Sequence, residues 1–262
     1  MKADYKNWMP GGMVISSLVI AFVLFILTIV FGFGNILTGT AGTVIKVILC
    51  IATLVAVAVF IWMLSLYRAF SYNGKRQMSK QIIEGIAERV ELPIGGKCLD
   101  VGCGSGALTI ACAKRNSYAS FTGIDRWGKE YASFSKTLCE NNAKAEGVSN
   151  VAFAKGDATS LDFPDESFDA VTSNYVYHNI PSRNRQEILL ETLRVLKKGG
   201  TFAIHDIFSK MKYGDMEDFV KKLKNMGYEN VEFIDTTNGM FMSSSEAKWL
   251  GLSGSALLVG RK

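Results

Sequence analysis

Histidine and cysteine are scarce in this chain, which limits the metal and redox chemistry it can carry. Among 262 residues there are two histidines and five cysteines. The cysteines stand at positions 50, 98, 103, 112 and 139, with no C-x-x-C pair and no other spacing typical of zinc ligands. The sequence therefore predicts no metal site, and reduced, buried thiols of the kind found in domains that face the cytoplasm.

Charged residues are absent from two long segments near the amino end, 7–45 and 47–67. Within them, residues 13–33 and 44–66 are nearly continuous Val, Ile, Leu, Ala and Phe. A stretch of about 20 such residues crosses about 30 Å of hydrocarbon. A signal peptide would be shorter and would precede a cleavage site, and a buried hairpin this apolar would need a large protein around it. We therefore predict two transmembrane helices.

The basic residues that flank these segments predict their orientation. Lysine or arginine occupies positions 2, 6, 68, 75, 76 and 80, and the glycine-rich turn at 34–42 has none. By the positive-inside rule, both termini lie in the cytoplasm and the turn lies outside. We therefore predict a multi-pass anchor in the cell membrane over residues 1–67, a juxtamembrane linker over 68–80 and a cytoplasmic domain over 81–262. Glycine-containing spans can also pair with a second copy of the chain, which leaves a homodimer open.

The positive charge of the chain is too small and too scattered to predict a nucleic-acid partner. The formal net charge is +5. The basic residues are spread along the chain or lie beside the apolar segments, and they form no stripe that would follow a phosphate backbone. The partner that composition favours is therefore the bilayer.

A glycine-rich turn between a strand and a helix is the most informative motif present. Residues 99–106 read Leu-Asp-Val-Gly-Cys-Gly-Ser-Gly, and a helix-like run follows at 107–115. Glycine tolerates the positive φ of a tight turn and lets a ligand approach the backbone. The turn also gathers backbone N–H groups at the positive end of the following helix, which suits the polar part of a nucleotide. We therefore predict a nucleoside-containing cofactor at this turn.

Two cofactor classes fit the turn. Residues 102–107 satisfy the G-x-G-x-x-A dinucleotide pattern, with Asp125 as the acid about 20 residues further on. The series D-x-G-x-G-x-G at 100–106 instead resembles the first motif of the class I S-adenosylmethionine (SAM) methyltransferases. The glycines alone do not separate a nicotinamide or flavin cofactor from SAM.

The segments downstream alternate between strand-like and helix-like patterns. Strand-like segments lie at 119–124, 151–155, 168–175 and 201–205, and helix-like segments at 129–146, 182–196 and 214–226. The Lys-Lys-Gly-Gly sequence at 197–200 is expected to end the second of these helices. This alternation predicts a parallel sheet with helices on both faces, which binds ligands at the carboxyl ends of its strands.

The last third of the chain favours the methyltransferase interpretation. Residues 229–236 and 255–261 read as two strands without a long helical crossover, and such a closing antiparallel pair resembles the class I methyltransferases. The motifs at 156–158 and 196–200 resemble the same family, so that the resemblance covers roughly 77–262. The predicted fold class is α/β: a Rossmann-like class I methyltransferase sheet, mostly parallel with a C-terminal antiparallel hairpin, preceded by an α-helical transmembrane hairpin.

The resemblance implies SAM as cofactor, S-adenosylhomocysteine as product, and a set of residues that bind them. These residues are Asp100, Gly102, Gly104, Gly106, Asp125, Arg126, Asp157, Ala158 and Asn174. The glycines and Asp100 are expected at the methionine end, where the carboxylate balances positive charge. Asp125 is expected to accept from the ribose diol, Arg126 to flank the adenine, and Asp157 with the Ala158 N–H to bind its edge. The alternative for Asp125 and Asp157 is a plain turn acid.

Catalysis of methyl transfer requires an in-line approach, and a general base only where the acceptor loses a proton. His178 follows the third strand and is the candidate base, with a loop hydrogen bond or pocket lining as the alternative. Tyr175 is expected to act beside it by shaping the acceptor pocket. His205 and Asp206 are adjacent on a strand and point to opposite faces, so they are not expected to form a dyad. The two prolines of the Asn-Pro-Pro-Tyr motif are absent after Asn174, so base and amino methylation are not carried over.

These observations predict a membrane-anchored, SAM-dependent methyltransferase. Its expected acceptor is a small or lipid-like molecule at the cytoplasmic face of the membrane, because the active site is tethered there. Two alternatives stay open at this point: a SAM-binding sensor or assembly protein without turnover, and an NAD-dependent oxidoreductase. Thermal stabilisation of the protein by NAD(H), and not by SAM or S-adenosylhomocysteine, would indicate the oxidoreductase.

Overall fold

A computed structural model of the chain describes residues 2–34, 36–128 and 133–262. The chain divides into two compact units. One unit comprises Asn7–Ser79, and the other comprises Met1–Lys6 together with Lys80–Lys262. The short amino-terminal segment is thus part of the larger unit, although 73 residues of the other unit separate the two in sequence.

The smaller unit is built from two long apolar helices. Helix α1 spans Gly11–Leu27 and continues as a π-helical turn over Thr28–Phe33, and helix α2 spans Gly39–Phe70. The two apolar helical segments are 23 and 32 residues long, which by length and composition is enough to cross a membrane. Two apolar helices were predicted here, but α2 is longer at both ends than the predicted 44–66.

A polar contact joins the π-helical turn after α1 to the middle of α2. The Thr28 hydroxyl lies 2.8 Å from the Thr53 hydroxyl, and it is also placed to donate to the carbonyl oxygens of Leu24 and Leu49. Both threonines are buried. Hydroxyl groups in an apolar environment need such partners, so the contact fixes which faces of the two helices meet.

The larger unit contains a seven-stranded sheet with helices packed on it. The strands are β1 Lys97–Val101, β2 Ser120–Asp125, β3 Val151–Lys155, β4 Phe168–Asn174, β5 Leu196–Ile207, β6 Glu229–Asp235 and β7 Ser255–Arg261. The helices are α3 Met78–Ala87, α4 Ala107–Arg115, α5 Lys136–Ala145, α6 Arg185–Arg194, α7 Lys210–Tyr213, α8 Met216–Asn225 and α9 Ser244–Leu250. The strand order is β3-β2-β1-β4-β5-β7-β6. Five strands are parallel and β7 is antiparallel to both neighbours, which confirms the predicted fold class.

The main core lies between the sheet and the helices α6 and α8. Leu99, Val171 and Ile204 supply fully buried side chains from three neighbouring strands, and Leu193 and Phe219 cover them from the helices. Central parallel strands are buried on both faces, which is why their sequences read as apolar runs rather than as an alternating pattern. The core holds the strands in place, and the polar residues described below lie at the sheet edge formed by the carboxyl ends of the strands.

Two predicted helix boundaries were wrong. The helix predicted at 182–196 ends at Arg194, and Leu196 begins β5 because it pairs with Phe168. The Lys197 ammonium contacts both carboxylate oxygens of Asp169 at 2.9 Å, which holds this part of β5 beside β4. In the helix predicted at 129–146, residues 129–132 lie outside the described residues, and α5 begins after Ser135, whose hydroxyl caps it by accepting from the Leu138 N–H.

Candidate cofactor and acceptor site

The site is expected where the strand order reverses. Strands β1 and β4 are neighbours in the sheet, with β2 and β3 on one side and β5 on the other. The connections that leave β1 and β4 therefore diverge, and the crevice between them at the carboxyl edge is the usual ligand position in such sheets. The glycine-rich turn follows β1, and Asn174 is the last residue of β4.

The three glycines of the turn are required by its backbone. Gly102, Gly104 and Gly106 have φ values of 74°, 56° and 79°, in the left-handed region that side chains with a Cβ seldom adopt. A Cβ on Gly102 would lie 2.2 Å from a methyl group of Val176. The turn is therefore pressed against the loop after β4, and α4 begins immediately behind it at Ala107.

Asp125 holds the middle of the turn from the end of β2. One carboxylate oxygen accepts from the Gly104 N–H at 2.9 Å, and the other accepts from the Trp127 N–H at 2.7 Å. The Trp127 indole N–H in turn donates to the Gly104 carbonyl at 3.0 Å. Asp125 is half-buried, and each of its oxygens keeps a second lone pair for a ligand hydroxyl.

Asp100 is a buried acid with neutral partners. It is 2 % exposed and accepts from the hydroxyls of Thr109 at 2.6 Å and Thr172 at 3.0 Å, which ties β1 to α4 and β4. Burial raises the pKa of Asp100 to about 6, although both threonine hydrogen bonds act in the opposite direction. A positively charged group bound beside the turn would stabilise the ionised form of Asp100.

Asp157 and Arg126 follow neighbouring strands at the same edge. One Asp157 oxygen accepts from the Thr159 N–H at 2.8 Å and from its hydroxyl at 2.7 Å, and these bonds lower the pKa of Asp157. The charge of Arg126 lowers it further, which places the two side chains within electrostatic reach. Both residues are exposed, and Ala158 is half-buried against the core.

Asn174 is connected to a buried histidine. Its side-chain oxygen lies 2.9 Å from His205 Nδ1, and His205 Nε2 lies 3.0 Å from the Thr236 hydroxyl. Burial lowers the pKa of His205 to about 3, so its imidazole is neutral and occupied on both nitrogens. His205 therefore positions Asn174.

Tyr175 lies on the other side of that histidine. Its φ of 55° is unusual for a residue with a side chain, and its hydroxyl lies 2.8 Å from the Ser255 hydroxyl. Burial raises the pKa of the Tyr175 phenol, which keeps it protonated. Its ring packs 4.7 Å from the His205 ring and 6.0 Å from the His178 ring, measured between centroids.

His178 is bonded to an acid that sequence analysis did not assign to it. His178 Nδ1 lies 2.5 Å from one carboxylate oxygen of Asp206, whose side chain is fully buried at the end of β5. The expectation that His205 and Asp206 form no dyad agrees with their separate partners. A signal for Asp206 was available: β4 and β5 are successive parallel strands, and His178 and Asp206 both lie near the carboxyl ends of these strands.

The described residues place no group of three or more His, Cys, Asp or Glu side chains where it could hold a metal ion. The polar residues form two groups instead. Gly104, Asp125 and Trp127 are linked on the β2 side, while Asn174, Tyr175 and His178 are linked to β5. Asp100 belongs to β1 and is hydrogen-bonded to Thr109 of α4 and Thr172 of β4.

Comparison with known proteins identifies the domain. Residues 99–204 match a family model described as a methyltransferase domain, and this range includes the glycine turn, Asp125, Asp157 and His178. Over residues 99–204 the chain is therefore similar to the SAM-dependent methyltransferases. The residues present fit that cofactor, because the turn leaves no room for a Cβ at Gly102, Asp125 has free lone pairs, and the described partners of Asp100 are uncharged hydroxyls.

Curated relatives of the domain include enzymes named for two kinds of substrate. A demethylmenaquinone methyltransferase of Staphylococcus aureus (strain MRSA252) is 41% identical over 132 residues, covering 50% of this chain and 49% of the relative. A sterol 24-C-methyltransferase of Gibberella zeae is 34% identical over 122 residues, covering 46% of this chain and 30% of the relative. The chain thus spans about half the length, or less, of these relatives.

Among solved structures, the [4+2]-cyclase SpnF is similar with a TM-score of 0.55. It is 22% identical, and the match covers 73% of this chain and 85% of SpnF. At this identity the similarity shows a shared fold. Since SpnF is named a cyclase, the fold by itself does not establish methyl transfer.

Proposed function

We propose that this protein is a membrane-anchored methyltransferase that transfers the methyl group of SAM to a small or lipid-like acceptor at the cytoplasmic membrane face. The observation that carries the proposal is the Asp125–Gly104 contact at 2.9 Å within a domain that matches the methyltransferase family over residues 99–204. The names of the curated relatives, for a menaquinone precursor and for sterols, support a lipid-like acceptor.

In this proposal, residues at the ends of β1, β2 and β3 would hold the cofactor. The glycine turn and Asp100 take the methionine end, and the buried carboxylate is balanced by the ammonium group. Asp125 accepts from the ribose hydroxyls with the lone pairs that Gly104 and Trp127 leave free. Arg126, Asp157 and Ala158 surround the adenine, and Asn174 borders the cofactor from β4.

The bound cofactor supplies an electrophilic methyl group on a positively charged sulfur. The chain contributes position and proton transfer, since most of the rate of such a displacement comes from holding the reacting atoms in line. His178 is proposed as the proton acceptor where the acceptor atom carries hydrogen. Tyr175 is proposed to shape the pocket, because its hydroxyl is engaged with Ser255 and its pKa is raised.

We propose that α1 and α2 cross the bilayer with both chain ends on the cytoplasmic side. The basic residues at 2, 6, 68, 75, 76 and 80 support this orientation. So does the amino-terminal segment, because Asp4 belongs to the larger unit. The Asp4 N–H donates to Asn142 at 2.7 Å, and the Asn142 amide donates back to the Asp4 carbonyl at 3.0 Å. An even number of crossings puts both ends of a hairpin on one side.

A membrane extract supplied with methyl-labelled SAM tests the activity without knowledge of the acceptor. The purified full chain in nanodiscs is expected to label an extractable small molecule. The Asp125→Ala variant is expected to label it at least tenfold more slowly at limiting SAM, while Asp218→Asn, an exposed acid on α8, serves as the matched control. Equal labelling by wild type and Asp125→Ala would contradict the assigned site.

A SAM-binding protein without methyl transfer is the second candidate, because the similar fold of SpnF belongs to a protein named as a cyclase. The same experiment separates the two functions. Binding of S-adenosylhomocysteine together with no label in any fraction, across aqueous and lipid extracts, would favour the second.

A further inference from the structure

Asp206 is a buried acid whose carboxylate is surrounded by hydrogen-bond donors. One of its oxygens accepts from the N–H groups of Tyr177 at 2.8 Å and His178 at 3.2 Å, and from the Tyr213 hydroxyl at 3.1 Å. The other accepts from the Ile207 N–H at 2.7 Å and faces His178 Nδ1 at 2.5 Å. These contacts fix the carboxylate in one orientation and join β5, α7 and the loop after β4.

The donor set determines which nitrogen of His178 carries the hydrogen. Every other partner of Asp206 is an N–H or O–H group, so both oxygens act as acceptors. This donor set favours the ionised carboxylate, which accepts only, and in that ionised form of the pair Nδ1 donates to Asp206. In a neutral imidazole the hydrogen on Nδ1 leaves a lone pair on Nε2.

Nε2 of His178 is the imidazole nitrogen left for chemistry. Among the described residues, no hydrogen bond engages it, and the side chain is 16% exposed, while Asp206 is completely buried on the opposite side of the ring. The chain's other histidine cannot take this role, because both nitrogens of His205 are occupied and burial lowers its pKa to about 3. The two histidines thus have distinct functions.

We propose that Asp206 is a positioning residue that holds His178 in the Nδ1–H form, and that the acceptor is a molecule whose reacting atom loses a proton during transfer. The inference rests on the proposed methyltransferase function. The acceptor atom bonds to the methyl carbon as the carbon–sulfur bond breaks and its electron pair stays on sulfur. The acceptor's proton passes to His178 Nε2, the imidazolium is stabilised by Asp206, and the proton then leaves to water.

Nitrogen-15 NMR of the histidine-labelled full chain in nanodiscs tests the proposal without an acceptor. Two histidines give two sets of signals, and His178→Gln assigns one of them. We expect neutral His178 to carry hydrogen on Nδ1. In Asp206→Asn, the new amide donates to Nδ1 and shifts the hydrogen to Nε2, as removal of the carboxylate does in catalytic triads. The matched control Asp218→Asn is expected to leave both histidines unchanged.

The wild-type spectrum keeps the proposal testable even where Asp206→Asn fails to fold. Hydrogen on Nε2 of wild-type His178 would overturn it directly. Binding of S-adenosylhomocysteine is measured in the same sample to test the cofactor separately from the role of Asp206. If the protein binds it but His178 carries hydrogen on Nε2, only the role of Asp206 is contradicted. If the protein does not bind it but His178 carries hydrogen on Nδ1, only the cofactor is contradicted.

Turnover then tests the substrate class. With an acceptor from the labelled extract, Asp206→Asn is expected to lower kcat by roughly 10²–10⁴-fold with little change in cofactor affinity, the range found when a base loses its orientation. An acceptor whose methylated atom never carried hydrogen, methylated equally well by wild type and Asp206→Asn, would overturn the inference.

Discussion

At the residue scale, some groups of the proposed cofactor site are expected to destabilise the ligand-free fold. Asp100 is the clearest case, because its carboxylate is buried with two hydroxyl partners and a pKa raised to about 6 from 3.8. Between about pH 4 and 6 the folded state binds the extra proton, so the free energy of unfolding falls as pH rises through this window. The full cost, about 3 kcal/mol, is present above pH 6.

Replacement of Asp100 by asparagine is therefore expected to separate stability from binding. Asp100→Asn should raise the thermal midpoint of the cofactor-free protein at pH 7.5, with the difference vanishing near pH 4. The same variant should bind S-adenosylhomocysteine more weakly, because the neutral amide no longer balances its ammonium. Calorimetric scans over pH measure the first effect and titration the second; a lower midpoint at pH 7.5 would contradict the assignment of Asp100 as a destabilising buried acid.

The Gly102→Ala substitution tests the close contact between the turn and the loop after β4. Gly102→Ala is expected to cost about 1–2 kcal/mol for the left-handed backbone and a further 1–3 kcal/mol for the clash with Val176. Gly147→Ala is the matched control, since its φ is 70° and a Cβ there meets nothing within 4 Å. Denaturant unfolding should show the larger loss for Gly102; equal losses would mean that the turn relaxes freely.

At the element scale, most strands and helices were predicted from the sequence. The apolar patterns and the glycines at the ends of elements agree with the way these elements pack in the fold. The helix at 107–115 and the strands at 151–155 and 255–261 were predicted with the boundaries observed. The start of β5 was missed because it depends on pairing with Phe168 and on the Asp169–Lys197 contact, which are distant in sequence. Asp206 was missed as the partner of His178 although both lie near the carboxyl ends of successive strands, because apolar periodicity does not report a polar contact between residues 28 positions apart.

Asn142 on α5 tests how one element supports the turn. Its amide donates to the carbonyls of Ser105 and Asp4, both at 3.0 Å, and its oxygen accepts from the Asp4 N–H. Asn142→Ala leaves these groups without their partners and is expected to cost about 1–3 kcal/mol. It should also weaken S-adenosylhomocysteine binding, because Ser105 lies in the turn. Asn141→Ala, exposed on the same helix, is the control; equal affinity of both variants would exclude such support.

At the scale of the whole molecule, the chain comprises a unit of two apolar helices and a larger unit with the proposed cofactor site. The proposed orientation predicts that only the connection between α1 and α2 is accessible from outside the cell. In a Cys50→Ala background, Thr38→Cys should react with a membrane-impermeant maleimide in intact cells. Lys262→Cys should react only after permeabilisation. Labelling of position 262 in intact cells would reverse the orientation.

Direct titration of the full chain with S-adenosylhomocysteine is the most decisive measurement, because it needs no acceptor and addresses the cofactor itself. We expect a Kd on the order of micromolar, and a loss of more than tenfold in Asp125→Ala, which removes the carboxylate that holds the turn and that we propose to accept from the ribose. A folded wild-type protein that binds NAD(H) but not S-adenosylhomocysteine would contradict this proposal and would indicate that the glycine turn binds a dinucleotide.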